Sequence, residues 1–287
     1  MTGISGRVSR ALGVRVTSSS RLGGGAAGSV SRLVLADGSS VVAKHSESAA
    51  GDGLLIEARS LQLVAERSRL PVPRVLHAER DLMVVEYIEG TSSFDDGAER
   101  HAAELLAALH AVRSVDGRYG LEFEALIGPL HQPNTPSASW VEFWRERRLL
   151  HMAHEAARAG RLRFDLVSRL EALGRRLGEL IPDRPPPSLI HGDVWSGNVL
   201  AAGGRVTGFI DPAPYFAHHE VELAFITMFS TFGDPFFERY AEVGMPIDDS
   251  WRARRLAYVL YPLLVHVRLF GGGYVGQVDH ALDMLGC

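Results

Sequence analysis

The pattern of apolar residues changes near residue 90, and this change limits the folds that the chain can adopt. Before it, the stretch SVSRLVLADGSSVVAKHS holds two apolar runs around Asp37-Gly38, which is typical of a β-hairpin. GLLIEARSLQLVAERS has apolar residues at helical spacing, and DLMVVEYIEG is a further short apolar run. We therefore predict an N-terminal part made of a hairpin, a helix and further strands.

Beyond residue 90 the apolar residues mostly follow helical spacing. The amphipathic stretches are GAERHAAELLAALHAV, SWVEFWRERRLLHMAHEAAR, FDLVSRLEALGRRLGELI, HHEVELAFITMFSTF and SWRARRLAYVLYPLLVHVRLF. The sequence thus predicts an α+β fold with a smaller N-terminal lobe and a larger, mainly helical C-terminal lobe. We place the lobes at residues 1–88 and 89–287, with a hinge between Glu86 and Gly90.

Composition argues against several classes of partner. The formal net charge of the 287-residue chain is −4, which gives no electrostatic reason to expect nucleic acid or an anionic membrane as a partner. Cys287 is the single cysteine, so no intrachain disulfide can form. The N-terminal stretch MTGISGRVSRALG lacks the apolar core of a signal peptide. We expect a cytoplasmic protein without a membrane-spanning segment.

One loop carries a spacing that is typical of phosphoryl transfer. In LIHGDVWSGNVL, Asp193 and Asn198 are five residues apart, as in the kinase catalytic loop H-R-D-x-x-x-x-N, with Gly192 in place of the arginine. The aspartate can accept a proton from an attacking hydroxyl, and the asparagine carbonyl can bind Mg²⁺. Alone, each residue would more often cap a turn. We predict that Asp193 is catalytic and that His191 is a buried structural histidine.

A second aspartate completes the predicted metal site. Asp211 ends the short strand-like run VTGFID, a few residues after the first loop. Two loops that each follow a strand could bring Asn198 and Asp211 to one ion. Mg²⁺ needs few protein oxygens when phosphate and water supply the rest. We therefore predict Asn198 and Asp211 as its ligands.

The N-terminal lobe holds candidate nucleotide-binding residues. Glycines at 23, 24, 25 and 28 precede a strand, so that backbone N–H groups there could approach phosphates. No Gly-Lys-Ser/Thr follows, so the run is not a P-loop, and a flexible turn is the simpler interpretation. Lys44 ends an apolar strand and could pair with Glu57, as in kinases; alone, such a lysine is usually solvated. The predicted nucleotide contacts are Gly23, Gly24, Gly25, Lys44, Glu57, Val85, Glu86, Tyr87 and Ile88.

With these motifs, the chain resembles the fructosamine kinase (ketosamine-3-kinase) family, in the aminoglycoside-phosphotransferase-like branch of the protein-kinase-like fold. The resemblance spans nearly the whole chain and is carried by EARSLQLV, IGPLHQPN, WVEFWRERRL, HGDVWSGNVL, IDPAPYFAHHEVELA and LFGGGY. It implies that ATP and Mg²⁺ are used to phosphorylate the 3-hydroxyl of a ketosamine, on a small glycated amine or a glycated protein side chain. It also implies that residues 85–88 contact the adenine and that Lys44 and Glu57 orient the phosphates.

The resemblance also points to residues of a substrate pocket. The candidates are Gln132, Trp195, Tyr215 and His219, although aromatic residues are equally common in protein cores. Glu222 stands where family members more often have aspartate, which leaves its role open. The glycines of FGGGY are interpreted as the end of the preceding helix.

Two other functions stay open. A kinase for another amino-alcohol, such as an aminoglycoside or choline, would share the HGD-x-x-x-x-N core, but a site for polycationic aminoglycosides should be strongly acidic. A nucleotide-binding module without catalysis would be expected to lack Lys44, Asp193, Asn198 or Asp211, and all four are present. The sequence does not predict the oligomeric state.

Overall fold

The N-terminal lobe is built on an antiparallel sheet. The computed structural model describes residues 3–23, 29–46 and 51–287. Within them, the sheet contains strands β1 (Val16–Leu22), β2 (Ser29–Leu35), β3 (Ser40–His45), β4 (Val75–Glu79) and β5 (Leu82–Glu86). The strands lie in the order β1-β2-β3-β5-β4, and every neighbouring pair is antiparallel. The predicted hairpin is confirmed: Gly38 turns β2 into β3 with a φ of 87°.

Two helices cover the sheet, α1 (Ile4–Leu12) and α2 (Gly53–Arg67). Strand β5 shows how both are held, because successive side chains of a strand point to opposite faces. Leu82 and Val84 pack in one cluster with Val8 of α1, whereas Met83 and Val85 pack with α2. Since both faces of β5 are buried, its sequence reads as a continuous apolar run and not as an alternating one.

Helices dominate the remainder of the chain, as predicted. They are α3 (Asp96–His110), α4 (Trp140–Trp144), α5 (Leu150–Arg158), α6 (Phe164–Leu180), α7 (Glu220–Phe229), α8 (Asp234–Val243), α9 (Trp251–Phe270) and α10 (Gly273–Met284). A π-helical turn over Arg145–Leu149 joins α4 to α5. Gly271 follows α9 with a φ of 65°, which confirms that the glycines end this helix.

Short strand pairs position the loops between these helices. They are β6 (Ala125–Ile127) with β7 (Leu130–Gln132), β8 (Ser188–Ile190) with β11 (Tyr215–Ala217), and β9 (Val199–Ala202) with β10 (Arg205–Phe209). Buried side chains of α4, α5, α6 and α9 form the largest core cluster. Ile190 of β8 and Tyr215 and Ala217 of β11 belong to this core cluster. The core therefore anchors the strand pair from which the loop after β8 begins.

A backbone hydrogen bond connects the two parts of the chain. The N–H of Phe209 donates to the carbonyl of Pro71 at 2.7 Å, and just beyond the predicted boundary Thr91 pairs with Ala201 within the C-terminal part. Strand β5 ends at Glu86 and helix α3 begins at Asp96, so the change from sheet to helix falls at the predicted hinge. The boundary between residues 88 and 89 stays a prediction. In the part of the chain that the structure describes, we find no helix with the length and apolarity needed to cross a membrane.

Candidate active site

The loop after β8 takes a shape that requires glycine. Gly192 has a φ of 87°, and a Cβ atom there would lie 2.1 Å from the carbonyl oxygen of Ala213. Its neighbour His191 is fully buried, as predicted, and its Nδ1 accepts a hydrogen bond of 3.3 Å from the backbone N–H of Asp193. The arginine of the usual kinase motif could not adopt this backbone without strain. The glycine therefore lets the loop pass close to β11 while it presents Asp193.

Asp193 and Asn198 are in direct contact. A 3₁₀ turn over Ser196–Asn198 folds the chain back, and the Asn198 Nδ2 donates to the Asp193 Oδ2 at 2.8 Å and to its carbonyl oxygen at 3.0 Å. Burial, with a smaller contribution from the charge of Asp211, raises the pKa of Asp193 to about 8. The hydrogen bond from Asn198 opposes this shift. The carboxyl group is thus a stronger base than an ordinary aspartate.

Asp211 lies beside this loop. The backbone N–H of Ile210 donates to the backbone carbonyl of Asn198 at 2.9 Å. This hydrogen bond holds the loops of the two predicted metal ligands, Asn198 and Asp211, side by side. Asp211 itself has a φ of 55°, which is uncommon for a residue with a side chain. Such strain often marks functional sites.

Lys44 connects the N-terminal sheet to this aspartate. Its Nζ donates to the Glu57 Oε1 and to the Asp211 Oδ1, each at 2.5 Å. Burial works against the charge of Lys44, but the two carboxylates outweigh it and raise the pKa of the lysine. Burial also raises the pKa of Glu57 to about 7, although Lys44 opposes it. The predicted Lys44–Glu57 pair is therefore formed, and it also reaches the predicted metal ligand.

A cavity of about 1160 Å³ runs between the two lobes past these residues. At what we call the nucleotide end, its lining includes Leu22, Gly23, Val30, Val42, Val85, Glu86, Tyr87 and Ile88. At what we call the acceptor end, its lining includes Trp195, Tyr215, Phe229, Tyr261, His266 and Tyr274. Asp193, Asn198 and Asp211 also line the cavity. Gly24 and Gly25 lie outside the described residues, so their predicted contacts stay predictions.

Two of the four predicted substrate residues do not line the cavity. Gln132 is buried behind it, where its Nε2 donates to the Ala213 carbonyl at 3.3 Å and its Oε1 accepts from the Tyr261 hydroxyl at 2.8 Å. His219 is buried too, and its ring lies 4.8 Å from that of His218. Trp195 and Tyr215 do line the cavity. The resemblance pointed to these stretches of the chain but did not show which of their side chains face the cavity.

The indole of Trp195 is seated on a glycine of the same loop. A Cβ atom on Gly197 would lie only 2.3 Å from the nearest indole carbon. Trp195 is 41% exposed as a residue, whereas Trp140 and Trp144 are fully buried. A side chain at position 197 would therefore displace the indole from its place beside the catalytic loop.

Glu222, whose role the sequence left open, contacts the loop that presents Asp193. It is buried at the start of α7 and accepts hydrogen bonds from the backbone N–H of Gly192 at 2.6 Å and of His191 at 3.2 Å. His110 of α3 contacts it through Nε2 at 2.9 Å. Burial alone would raise the pKa of Glu222, but the hydrogen bond and charge of His110 hold it below the ordinary value. Glu222 thus fixes the backbone that presents Asp193.

We expect Glu222→Ala to reduce kcat by roughly a hundredfold, because a misplaced catalytic group costs about that much. The KM for nucleotide should change little, since the hydrogen bonds of Glu222 among the described residues go to His110, His191 and Gly192. Glu222→Asp should recover part of the loss, and Glu238→Ala, an exposed glutamate of α8, serves as the matched control. The measurement is steady-state kinetics. A kcat of Glu222→Ala equal to that of Glu238→Ala would contradict the positioning role.

The buried pair His218 and His219 makes stability depend on pH. Burial lowers the pKa of His218 to about 3 and that of His219 to about 2. The unfolded chain binds these protons near pH 6.5, so stability is full above that pH and declines as the pH falls below it.

We expect His219→Gln to lose less stability than the unsubstituted protein between pH 7.5 and pH 5.0. A histidine that stays neutral at pH 5.0 costs about 2 kcal/mol relative to the unfolded state. Urea unfolding at both values measures the difference, with the exposed His280→Gln as control. Equal pH dependence of the two variants would show that His219 is protonated without cost in the folded protein.

Comparison with known proteins agrees with this geometry. A family model for fructosamine kinases matches residues 2–285. The chain belongs to the fructosamine kinase family. It is 34% identical over 234 residues to a protein of Synechocystis assigned as a ketoamine kinase, covering 79% of this chain and 76% of the relative. Family membership makes the protein a phosphotransferase that acts on a hydroxyl group.

Solved structures extend the comparison to the fold. An assigned fructosamine-3-kinase from Thermobifida fusca is 32% identical and superposes with a TM-score of 0.88, covering 99% of both chains. An aminoglycoside phosphotransferase solved with ADP and hygromycin B is 17% identical, with a TM-score of 0.69 over 99% of this chain and 98% of that one. The second likeness establishes the shared fold, which confirms the predicted fold class.

Proposed function

We propose that the protein uses ATP to phosphorylate the 3-hydroxyl of ketosamines, with Asp193 as the base. The observation that carries the proposal is the contact set in the cleft, where Asn198 holds Asp193 and Lys44 joins Glu57 to Asp211. A base is most effective when its pKa lies near the working pH, and the pKa of about 8 for Asp193 agrees with this. In this proposal, Asp193 orients the acceptor hydroxyl and takes its proton.

The donor atoms at Asn198 and Asp211 suit Mg²⁺. Both side chains offer oxygen ligands, they are held in neighbouring loops, and Asp211 is 37% exposed at its side chain. A bound Mg²⁺ would neutralise charge on the phosphates. Lys44 would steady the phosphates, and residues 85–88 would contact the adenine. The strained backbone of Asp211 supports a role beyond packing.

The acceptor end favours a ketosamine over an aminoglycoside. Among the described residues that line the cavity, the carboxylates are Glu57, Glu86, Asp193, Asp211 and Glu222. Four of these belong to the catalytic contacts described above, and Glu86 lies at the nucleotide end. The acceptor end is lined by aromatic and aliphatic side chains instead. A polycationic substrate would lack the carboxylates that its ammonium groups require, whereas a ketosamine carries a single amine at the sugar.

The alternative of a nucleotide-binding module without catalysis is disfavoured by the same contacts. Lys44, Asp193, Asn198 and Asp211 are all present. Lys44 is hydrogen-bonded to Asp211 and Asn198 is hydrogen-bonded to Asp193. A binding module has no use for a buried carboxyl group beside the nucleotide. ATP binding without turnover of any acceptor would support the module instead.

The product provides the test of the substrate. In a ketosamine the carbonyl is at C2 and the amine at C1, so the new phosphate at C3 is next to the carbonyl. Enolisation towards C1 forms a C1–C2 enaminol, which expels phosphate from C3 and leaves an imine at C1. Water then hydrolyses the imine to free amine and a dicarbonyl sugar.

We therefore expect ADP to form when the protein is incubated with ATP, Mg²⁺ and a small fructosamine or ribulosamine. Free amine and inorganic phosphate should follow slowly after the enzyme has been removed, as measured by phosphorus and proton NMR. Phosphate esters of an aminoglycoside or choline would persist under these conditions. Rapid ADP formation with one of those acceptors, and none with ketosamines, would refute the ketosamine assignment while leaving the kinase mechanism intact.

The proposed contact of Trp195 with the acceptor gives a second test. We expect Gly197→Ala to raise the KM for the ketosamine about tenfold with a smaller change in the KM for ATP, because the loss of one aromatic contact costs about 1–2 kcal/mol. Gly197 does not have a positive φ, so alanine fits the backbone there. If the effect passes through the indole, adding Gly197→Ala to Trp195→Leu should change nothing further. Additive losses in the double variant would place the defect elsewhere in the loop.

A further inference from the structure

Arg148 carries a positive charge into the core behind the acceptor end. It lies in the π-helical turn between α4 and α5 and is fully buried. Its Nη1 donates to the Pro133 carbonyl and its Nη2 to the Asn134 Oδ1, both at 2.6 Å. Its Nε has no hydrogen-bond partner. Neutral oxygens thus accept hydrogen bonds from the guanidinium group, but they do not balance its positive charge.

No carboxylate of the described residues lies within 4.0 Å of this guanidinium. Arg254, the other buried arginine in the described parts of the chain, shows the usual solution, since both oxygens of Glu220 accept from it at 2.6 Å. A buried charge without a counter-ion costs several kcal/mol relative to water. The chain therefore retains at Arg148 a group that destabilises the fold unless something else is gained.

Packing does not explain the residue type. Trp140, Trp144, Arg148 and Met152 follow at intervals of four along one buried stripe, and all four are fully buried. An apolar side chain would continue this stripe and would avoid the cost of desolvation. The charge therefore points to a function outside the packing of the helix.

Aromatic rings are the layer that separates the charge from the cavity. The guanidinium carbon lies 3.9 Å from the ring centroid of Tyr215 and 5.5 Å from that of Tyr261. Both tyrosines line the acceptor end. The Tyr261 hydroxyl is turned to Gln132, to which it donates at 2.8 Å. A ligand that touches Tyr215 therefore lies within about 10 Å of a charge that solvent does not reach.

We propose that Arg148 determines the charge specificity of the acceptor end. Its field favours ketosamines whose amine substituent is uncharged and disfavours substituents that carry a further ammonium group. The inference rests on the proposed ketosamine kinase function. At about 10 Å and an effective dielectric constant of about 20, a second positive charge is disfavoured on the order of tenfold. The cation also weakens the attraction of the Tyr215 ring for another cation, because it already occupies the π-system.

Two isosteric acceptors test this proposal. They are the fructosamines of butylamine and of propane-1,3-diamine, which differ in whether the tail ends in a methyl or an ammonium group. For the unsubstituted protein we expect kcat/KM to be about tenfold lower with the diamine adduct. In Arg148→Met, which keeps the bulk but not the charge, we expect this ratio to fall to about threefold or less. Arg148→Lys should keep the tenfold ratio, even if its overall activity is lower.

Controls separate charge from damage to the fold. Arg147→Met removes a charge from the same π-helical turn at a partly exposed position and should leave the ratio unchanged. Arg148→Gln keeps donors for the Pro133 and Asn134 oxygens, and it replaces Arg148→Met should that variant fail to fold. The KM for ATP and the thermal midpoint verify that each variant is intact.

Each outcome distinguishes the inference from the proposed function. A tenfold ratio that persists in folded Arg148→Met or Arg148→Gln overturns the charge role and leaves Arg148 as a packing residue. If Arg148→Lys also loses the difference in kcat/KM between the two fructosamines, the geometry of the guanidinium and not its charge is required. That outcome also overturns the charge role. ATP consumption without phosphorylation of either fructosamine by the unsubstituted protein overturns the proposed function and the inference with it.

Discussion

The buried carboxylate of Glu222 is the constraint on which the catalytic geometry depends. It joins three separate elements, because it begins α7, accepts two backbone N–H groups of the loop after β8, and contacts His110 of α3. A buried N–H without a hydrogen-bond acceptor is costly in free energy, so the carboxylate stabilises this conformation of the loop over others. Asp193 is thus positioned by contacts from distant parts of the sequence.

Four carboxyl groups are gathered around the loop that presents Asp193. Glu57, Asp193, Asp211 and Glu222 line the cavity there, and Lys44 contacts Glu57 and Asp211. The effect is visible in the raised pKa of Asp193, to which Asp211 contributes after burial. A site of this charge attracts cations. The arrangement therefore agrees with a divalent metal beside Asn198 and Asp211.

The sequence predicts this fold well where one physical rule decides the outcome. The two-lobe architecture follows from the hairpin signal at Asp37-Gly38 and from the helical spacing of apolar residues in α2, α3, α6 and α9. The spacing of the motifs predicted which residues meet in the cleft. Helix α10 was missed because glycines obscure its start. The π-helical turn was missed because SWVEFWRERRLLHMAHEAAR has the apolar spacing of one continuous amphipathic helix. The position of His219 depends on how the start of α7 lies beside His110 of α3 and Tyr240 of α8, which local spacing cannot reveal. The path of Glu222 to the loop backbone is hidden for the same reason.

The stretches IGPLHQPN and WVEFWRERRL hold none of the proposed catalytic groups, yet they carry much of the family resemblance. Their side chains meet behind the acceptor end, where Arg148 contacts Asn134 and Gln132 donates to the Ala213 carbonyl. The N–H of Ala213 in turn donates to the carbonyl of His191 at 2.8 Å, in the catalytic loop itself. A polar layer thus connects the aromatic lining to the loop that presents Asp193. We therefore expect a change in either stretch to affect both the aromatic lining and the loop that presents Asp193.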